Sequence, residues 1–472
     1  MQILDLDATS LAREIRAKEI SCLEAADAYI SHLERVNPKV NCLVEDRFEQ
    51  AREEARQCDR MLPTDSIKGK LFGVPVSIKE AFNVAGMRTT CALSSRRERV
   101  ESADAAAVSR LKAEGAVVLG KSNTPILCFC QETDNKLYGR TNNPWDLSRT
   151  TGGSSGGEGA LIAAGGAAVG LGADIGGSIR FPSHFNGVVG FKSGALQVPD
   201  SGVMPVFNDP YQQYMLGIGA IAKSVTDAEL INSIISFNSP RAINPAQFEL
   251  CIPEPHGKFP VGEETALILN RIREALADSI TVNTEKPPFF EKAALYWQLI
   301  MSFDGGRGIA EVAFDNEKPR IIMEYLKEVT FGSSTLHRYL TWALIGANVF
   351  KPNSTRLQTM KEDIKIGKAA VNEYLTNRVL LLPVYHSTAP AHGELYRELF
   401  SIKKTFLKFI PYVAFANLWG LPALTVPVGT DKNGLPIGVQ LISLVGNEQA
   451  LFYFGRILEE RYRGYIRCAL YD

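Results

Sequence analysis

Apolar and polar positions follow two different periods along the chain, and the change of period predicts where helices and strands lie. In the first sixty residues apolar positions recur at helical spacing with charges between them: Leu11, Ile15, Leu23, Ile30 and Leu33. Ser21 and Glu24 fit a capping box, which predicts that a second helix begins there. We therefore expect residues 1–60 to form a helical arm on the core.

After residue 70 the pattern becomes that of an α/β protein. Residues 72–78 are short, apolar and β-branched, which predicts a buried strand. Residues 104–112 predict a helix that Gly115 ends, and residues 116–119 predict another strand. The stretch 161–171 is almost wholly small and apolar, so we expect it to be a buried helical segment. Helices that alternate with short apolar strands indicate an α/β fold.

The C-terminal part returns to the same alternation. Residues 238–320 are rich in proline and less regular, and helical periodicity returns at 265–277 and 364–379. Further elements are then predicted, namely strands at 380–384, 421–427 and 438–442 and a helix at 447–461. Because strands occur at both ends with no clear linker between them, we predict one interleaved domain over residues 1–472.

Composition narrows the function classes. The chain has 472 residues with a net charge of −1, which makes nucleic acid an unexpected partner. No run of about 20 apolar residues and no signal peptide is evident, so we expect a cytoplasmic protein. The eight cysteines form no CxxC pair, so we expect free thiols and no metal site.

The most informative feature is a pair of glycine- and serine-rich segments, Thr151–Gly159 and Asp174–Pro182. One interpretation is a phosphate-binding loop, but Glu158 stands where a Walker A motif requires lysine. A second is that the glycines serve close packing alone. A third is an acyl-transfer site with Ser178 as nucleophile, in which the N–H groups of Ile175, Gly176, Gly177 and Ser178 converge as an oxyanion hole. We favour the third interpretation.

A serine nucleophile needs a base, and two candidates stand in the sequence. Of the six histidines, His184 lies nearest to Ser178, but the local sequence does not match a G-x-S-x-G elbow. A buried structural imidazole is therefore the better interpretation of His184. Lys79 ends the apolar strand at 72–78, where burial disfavours the charged ammonium and a neutral lysine is a competent base. The alternative for Lys79 is a salt bridge with Glu80.

At these residues the chain resembles the amidase signature family, and within it the fatty-acid amide hydrolase branch of the second, fatty-acid amide hydrolase 2-like type. The resemblance covers about residues 70–460. It is carried by these segments: Gly73–Lys79, Gly120–Pro125, Thr141–Trp145, Gly152–Ala160, Asp174–Pro182, Gly420–Pro427 and Gly434–Leu441.

The resemblance implies roles for individual residues. Ser178 takes the nucleophile's place, Ser154 that of a bridging serine with a cis peptide bond, and Lys79 that of the base. The main chain near Cys128 takes the place of a segment that touches the bridging serine and the substrate. The remaining positions support the loop, with a buried ion pair expected between the last two: Ser155, Asp174 and Arg180.

The resemblance also implies a fold and an activity. The fold is a three-layer α/β/α arrangement with a large mixed, twisted sheet covered by helices on both faces. Residues 70–200 are then the catalytic core, 238–375 a variable helical region that forms the substrate channel, and 380–472 the strands and helix that complete the sheet. The activity is hydrolysis of a carboxylic amide through an acyl-enzyme on Ser178, with no cofactor.

The identity of the amide is left open between several classes. Ile175 and Phe181 are apolar where the amidase subunit of a glutamine-dependent tRNA amidotransferase typically has Thr and Gln, which favours a fatty-acid or other hydrophobic acyl amide. The alternatives are that amidotransferase component, an aryl acylamidase or another small-amide amidase. The lipophilic segments 339–350 and 406–415 predict either an acyl channel, peripheral membrane contact or plain core packing. A homodimer is also among the expected partners.

Overall fold

One large mixed sheet organises the protein, as a computed structural model shows for residues 2–62, 69–237, 241–255, 257–400 and 406–472. His256, one of the six histidines considered above, lies outside these described residues. The strands are β1 (Leu43–Asp46), β2 (Pro75–Lys79), β3 (Val117–Ser122), β4 (Asn142–Asn143), β5 (Asp146–Thr150), β6 (Val169–Asp174), β7 (Val189–Lys192), β8 (Gly217–Ala222), β9 (Glu249–Cys251), β10 (Val282–Asn283), β11 (Arg378–Pro383), β12 (Ala423–Thr430) and β13 (Pro436–Ile442).

Helices precede, interrupt and follow these strands. They are α1 (Ala8–Arg16), α2 (Cys22–Val40), α3 (Phe48–Met61), α4 (Ala106–Ala113), α5 (Gly156–Ala164), α6 (Arg180–Asn186), α7 (Pro210–Met215), α8 (Val225–Ile235), α9 (Glu263–Ala277), α10 (Phe290–Met301), α11 (Arg307–Ala313), α12 (Ile321–Phe331), α13 (Arg338–Val349), α14 (Ser354–Leu375), α15 (Glu394–Phe400), α16 (Phe406–Phe409), α17 (Pro411–Leu418) and α18 (Glu448–Arg461). The capping box predicted at Ser21 and Glu24 is present at the start of α2.

Strands from both ends of the sequence meet in the sheet. Within the described ranges it has eleven strands in the order β1-β3-β2-β6-β8-β7-β12-β13-β11-β9-β10. The strands β3, β2 and β6 run parallel, and the pairs from β6 through β8, β7, β12 and β13 to β11 are antiparallel. The sheet is therefore mixed, and the strand that carries Lys79 lies beside the strand that leads to Ser178.

The two faces of the sheet bury different sets of side chains. In β11, Val379 and Leu381 belong to one apolar core, whereas Leu380 and Leu382 belong to another. Successive side chains of a strand point to opposite faces, so each face packs against its own layer of helices. This arrangement confirms the predicted α/β class with helices on both sides of the sheet.

Three element predictions were wrong in detail. The arm predicted as helical over residues 1–60 also contains the strand β1, which pairs with β3. The apolar stretch 161–171 is not one helix, because Gly165 ends α5 in the left-handed region with φ of +82° and β6 begins at Val169. The helix predicted at 364–379 is α14, which begins ten residues earlier at an Asn353 cap and ends before β11. A uniformly apolar run has no periodicity that separates a buried helix from a strand.

Candidate active site

Lys79 and Ser154 meet in the interior of the protein. Lys79 ends β2 and is only 1% exposed, and its Nζ donates a hydrogen bond to Ser154 Oγ at 2.7 Å. The peptide bond between Gly153 and Ser154 is cis, as the resemblance implies. Thr124 Oγ1 donates to the Ser154 carbonyl oxygen at 2.9 Å, which holds this segment from the other side. The hydrogen bond of the buried lysine therefore goes to a hydroxyl group and not to an anionic group.

The salt bridge considered between Lys79 and Glu80 does not form. The Glu80 carboxylate turns away and accepts from the backbone N–H groups of Thr90 at 2.6 Å and Cys91 at 2.7 Å. Burial raises the pKa of Glu80. Among the described residues Lys79 forms no ion pair, and its hydrogen-bond partner is the Ser154 hydroxyl.

Ser178 lies in the loop between β6 and α6, next to the segment that holds Ser154. Ser178 is 9% exposed, and its carbonyl oxygen accepts a hydrogen bond from the Ser155 N–H at 3.1 Å. The Ser155 hydroxyl donates to the Ala173 carbonyl oxygen at 3.3 Å. Ser155 thus joins the two serine-bearing segments through both its backbone and its side chain, as expected for a supporting residue.

One of the four amides predicted for the oxyanion hole is already used. The Gly177 N–H donates to Asp174 Oδ1 at 2.8 Å, so that the loop itself takes up this donor. Within the described part of the chain, the amides of Ile175, Gly176 and Ser178 meet no acceptor. The prediction of four converging amides is corrected to three that are free to face a substrate oxygen, since Gly177 serves to shape the loop.

A buried ion pair supports this loop, as predicted. Arg180 Nη2 and Asp174 Oδ1 lie 2.9 Å apart and both side chains are fully buried. Burial alone would raise the pKa of Asp174, but the charge and hydrogen bonds of Arg180 hold that pKa below its usual range. Arg180 also donates to the Val413 carbonyl oxygen at 2.9 Å and to Gln440 Oε1 at 2.8 Å. The loop that carries Ser178 is thereby tied to α17 and β13.

Lys79, Ser154 and Ser178 open into one cavity, which is in part open to solvent. Among the described residues that line it, only Lys79 and Asp174 have a side chain of the Lys, Arg, Asp or Glu type. Most of the wall is apolar: Leu127, Phe129, Val203, Met204, Phe207, Leu216, Trp297, Met301, Trp342, Ala343, Ala347 and Phe350. Ile175 and Gly176 complete the wall beside Ser178. The cavity therefore suits an uncharged, largely apolar molecule.

Cys128 lines this cavity, and the role of its main chain toward the substrate stays a prediction. Its main-chain N–H donates to the Pro125 carbonyl oxygen at 2.9 Å, so a local turn uses that group. The thiol contacts the Cys91 thiol at 3.8 Å and Thr124 Oγ1 at 3.5 Å. The hydrogen bond with Cys91 lowers the pKa of Cys128, although burial opposes this. The Cys128 thiol thus lies at the cavity wall between Cys91 and Thr124.

His184 is a structural residue and not a base. Its Nδ1 accepts from the Gly438 N–H at 2.8 Å, and its Nε2 lies 2.9 Å from the Ser387 carbonyl oxygen. Burial lowers the pKa of His184 to about 4. Both ring nitrogens are therefore engaged by backbone groups, which leaves none for Ser178.

The two lipophilic segments lie in different surroundings. Five residues of 339–350 line the cavity: Trp342, Ala343, Gly346, Ala347 and Phe350. Residues 409–415 are buried in the apolar core, so this segment packs as core. Phe181 is also a core residue, stacked on Phe185 with ring centroids 6.0 Å apart, and does not line the cavity. Only Ile175 of the two positions compared above contacts the cavity.

Sequence reasoning assigned no role to Thr124, Glu158 or Trp297. Thr124 stands in a segment that carried the resemblance, and the motif was its only signal. Glu158 is fully buried on α5, where it accepts from Ser77 Oγ at 2.6 Å, and burial raises its pKa to about 7. Trp297 comes from α10 in the irregular region, and its Nε1–H donates to the Ile175 carbonyl oxygen at 2.7 Å. No sequence pattern links it to the loop.

Neither a metal site nor a membrane span is found among the described residues. No group of three or more His, Cys, Asp or Glu side chains is arranged there to hold a metal ion. No helix in these ranges combines the length and apolarity needed to cross a bilayer.

Known proteins share both the sequence pattern and the fold. The Amidase family model matches residues 24–452. Fatty-acid amide hydrolase 2-A of Danio rerio is 31% identical, covering 93% of this chain and 86% of that protein. A glutamyl-tRNA(Gln) amidotransferase subunit of Carboxydothermus hydrogenoformans is 30% identical over 98% of each chain. The structure of 6-aminohexanoate cyclic dimer hydrolase complexed with substrate aligns with a TM-score of 0.83 and 26% identity, covering 99% of this chain and 100% of that chain.

Proposed function

This chain belongs to the Amidase family, and we propose that it hydrolyses the amide of a hydrophobic carboxylic acid through an acyl-enzyme on Ser178. The observation that carries the proposal is the buried contact of 2.7 Å between Lys79 Nζ and Ser154 Oγ. This pair opens together with Ser178 into one largely apolar cavity. A base, a hydroxyl relay and a nucleophile beside free backbone amides are the parts that acyl transfer needs.

The proposed reaction begins with two proton transfers. Neutral Lys79 takes the proton of Ser154, Ser154 takes that of Ser178, and Ser178 Oγ attacks the amide carbonyl carbon. The negative charge that develops on the carbonyl oxygen is stabilised by the free amides of residues 175, 176 and 178. The relay then runs backwards and protonates the leaving amine as the C–N bond breaks. Water, activated by the same relay, hydrolyses the ester on Ser178 and regenerates the enzyme.

The wall of the cavity supports a hydrophobic acyl group. A buried charge needs a partner. The basic and acidic residues at this wall are Lys79, which is a neutral base in this proposal, and Asp174, whose charge Arg180 already balances. Free glutamine would bring an ammonium and a carboxylate into this apolar space. Phe129, Trp342 and Phe350 instead offer surface to an alkyl or aryl chain.

The second candidate function is that of an amidotransferase subunit that releases ammonia from glutamine. It is favoured by the amidotransferase relative, which is 30% identical over 98% of this chain and is thus almost as similar as the hydrolase relative. In this case the protein needs a partner subunit to complete the transfer. The absence of a free charged side chain at the described cavity wall argues against glutamine as the substrate.

A substrate panel on wild type and Ser178→Ala tests both candidates. It contains fatty-acid primary amides, N-acylethanolamines, aryl acylamides and glutamine. We expect hydrolysis of one or more hydrophobic amides by wild type, none by Ser178→Ala, and no glutaminase activity. Hydrolysis of glutamine in preference to the others would favour the amidotransferase function, and hydrolysis by Ser178→Ala at the wild-type rate would exclude Ser178 as nucleophile.

Peripheral membrane contact belongs to the same proposal. The helix α12 presents exposed apolar side chains, among them Ile322, Leu326, Val329 and Phe331. It packs on α13, whose Trp342 lines the cavity. A liposome flotation assay tests this contact, with co-migration expected and its absence counting against it. The homodimer and the cytoplasmic location stay predictions from the sequence.

A further inference from the structure

Trp297 reaches the catalytic loop from a distant part of the chain. It lies on α10, half-buried, and forms part of the cavity wall. Its indole Nε1–H donates to the carbonyl oxygen of Ile175 at 2.7 Å, across 122 positions of sequence. This bond has the length of a well-formed N–H···O hydrogen bond, so the indole fixes the direction in which that carbonyl points.

The direction of the Ile175 carbonyl determines that of a neighbouring donor. The peptide unit between Ile175 and Gly176 is trans, since the cis bonds lie elsewhere. In a planar trans peptide the C=O and the following N–H point in opposite directions. An indole that holds the Ile175 oxygen on one side therefore turns the Gly176 N–H to the other side, away from Trp297.

The packing of the indole ring against the loop reinforces this restraint. A Cβ atom placed on Gly176 would lie 2.6 Å from Trp297 Cζ2, so only a glycine lets the ring lie this close. The next amide, that of Gly177, is held by Asp174 Oδ1 at 2.8 Å. The loop is thus fixed from two sides, by a carboxylate at Gly177 and by an indole at the Ile175 carbonyl, while the Gly176 amide meets no acceptor within the described residues.

We propose that Trp297 is a positioning residue that orients the Gly176 amide as a donor of the oxyanion hole. This inference rests on the proposed function, because the donor matters only if Ser178 attacks a carbonyl. The indole acts on the transition state through the loop, and its ring contributes separately to the wall that contacts substrate. A substitution that removes the N–H and keeps an aromatic ring separates the two contributions, because it should abolish the first and largely retain the second.

Trp297→Phe removes the N–H and keeps an aromatic ring. Removal of a whole oxyanion donor lowers kcat by about 10²–10³-fold, so we expect a misaligned donor to lower kcat by roughly tenfold or more, with KM changed little. A trifluoromethyl ketone that forms a tetrahedral anion on Ser178 should lose affinity by the same factor. The planar carboxylate product should bind as before. An unchanged kcat, a rise in KM alone, or an equal loss of affinity for both ligands would overturn the inference.

Trp419→Phe is the matched control. Trp419 is buried outside the cavity wall, and its Nε1 has no hydrogen-bond partner among the described residues. We expect this variant to keep the wild-type kcat, and a loss equal to that of Trp297→Phe would overturn the inference. If Trp297→Phe does not fold, Gly176→Ala disturbs the same contact from the loop and must reproduce the fall in kcat.

The failure of this inference can be told from that of the proposed function. A wild-type protein that hydrolyses no amide and binds no trifluoromethyl ketone would remove the proposed function and this inference with it. An active wild type together with an unimpaired Trp297→Phe would overturn the inference alone.

Discussion

At the scale of single residues, the burial of Lys79 beside a hydroxyl decides what this site can do. A lysine that is 1% exposed is costly unless it is paired or neutral, and its partner is the Ser154 hydroxyl at 2.7 Å. The carboxylate of Glu80, its neighbour in sequence, is engaged by backbone amides. This arrangement makes Lys79 the base of the proposed relay.

Lys79→Met tests the role of the base. Methionine fills a similar apolar volume but accepts no proton from Ser154. General-base catalysis contributes about 10²–10⁴-fold, so we expect kcat on the best substrate of the panel to fall by that order. Lys121→Met is the control, because this buried lysine of the adjacent strand donates to Thr89 Oγ1 at 2.8 Å and does not contact Ser154. The Lys121→Met variant should keep the wild-type activity per folded molecule. A Lys79→Met variant as active as wild type would exclude Lys79 as the base.

Glu158 gives the fold a pH dependence whose sign follows from burial. Burial raises the pKa of Glu158 from 4.5 to about 7, so the folded protein keeps a proton that the unfolded chain releases. The stabilisation is fully present below about pH 4.5 and is lost as the pH rises through about 7. Glu158→Gln removes this loss and retains an acceptor for Ser77. Urea unfolding of both proteins from pH 4.5 to 8 should therefore show that the free energy of unfolding declines less steeply with pH in the variant. Parallel curves of this free energy against pH would contradict this explanation.

The sequence could indicate Ser178 and Lys79 as candidates, because a serine in a glycine-rich segment and a lysine at the end of an apolar strand are unusual, whereas the role of Ser154 came from the resemblance. It could not predict that Asp174 takes the Gly177 amide, or that Trp297 holds the Ile175 carbonyl. Both facts depend on the path of a loop and on contact between distant positions, which periodicity and spacing do not encode. The thiol contact of Cys128 was missed for the same reason.

At the scale of elements, the turn from β6 into α6 is held by a buried ion pair that reaches two other elements. Arg180 contacts Asp174, the end of β6, as well as Val413 on α17 and Gln440 on β13. The elements that carry Ser178 are thereby fixed to the C-terminal part of the sheet. The position of Ser178 depends on elements that lie more than 200 residues away in the sequence.

Asp174→Asn leaves a buried guanidinium without its counter-charge. Breaking a buried pair by removal of one partner costs about 3–5 kcal/mol, so we expect a lower free energy of unfolding by that order together with reduced activity. Asp146→Asn is the matched control, because the Asp146 side chain is 41% exposed in its pair with Arg149 and such pairs contribute about 0–1 kcal/mol. Urea unfolding measures both. An equally small loss of unfolding free energy in the two variants would show that the buried pair does not hold the loop.

Element prediction failed where a segment lacked a distinguishing pattern. The strand β1, within the arm predicted as helical, has the sequence Leu-Val-Glu-Asp and no alternation that sets it apart. It pairs with β3 at the edge of the sheet, a long-range contact that gives it its conformation. The strand that ends at Lys79 was predicted more closely, because a glycine precedes its β-branched residues.

At the scale of the whole molecule, the sheet explains why residues from most of the length of the chain are needed to form one site. The strand β2 brings Lys79, β6 leads to Ser178, and α5 follows Ser154 between them. The irregular region contributes α10 and α13 to the wall of the cavity. The α/β class could be predicted from alternating elements, whereas the strand order could not, because it depends on pairings between the two ends of the chain. The single domain over 1–472 stays a prediction.

Labelling of the folded protein with a fluorophosphonate probe tests the central claim most directly. We predict one covalent adduct, located on Ser178 by peptide mass spectrometry and absent from Ser178→Ala and from urea-unfolded wild type. Labelling should be slower in Lys79→Met, because the base that activates the relay is missing. Folded wild-type protein that forms no adduct, or that forms it on a residue other than Ser178, would contradict the proposal that Ser178 is an activated nucleophile.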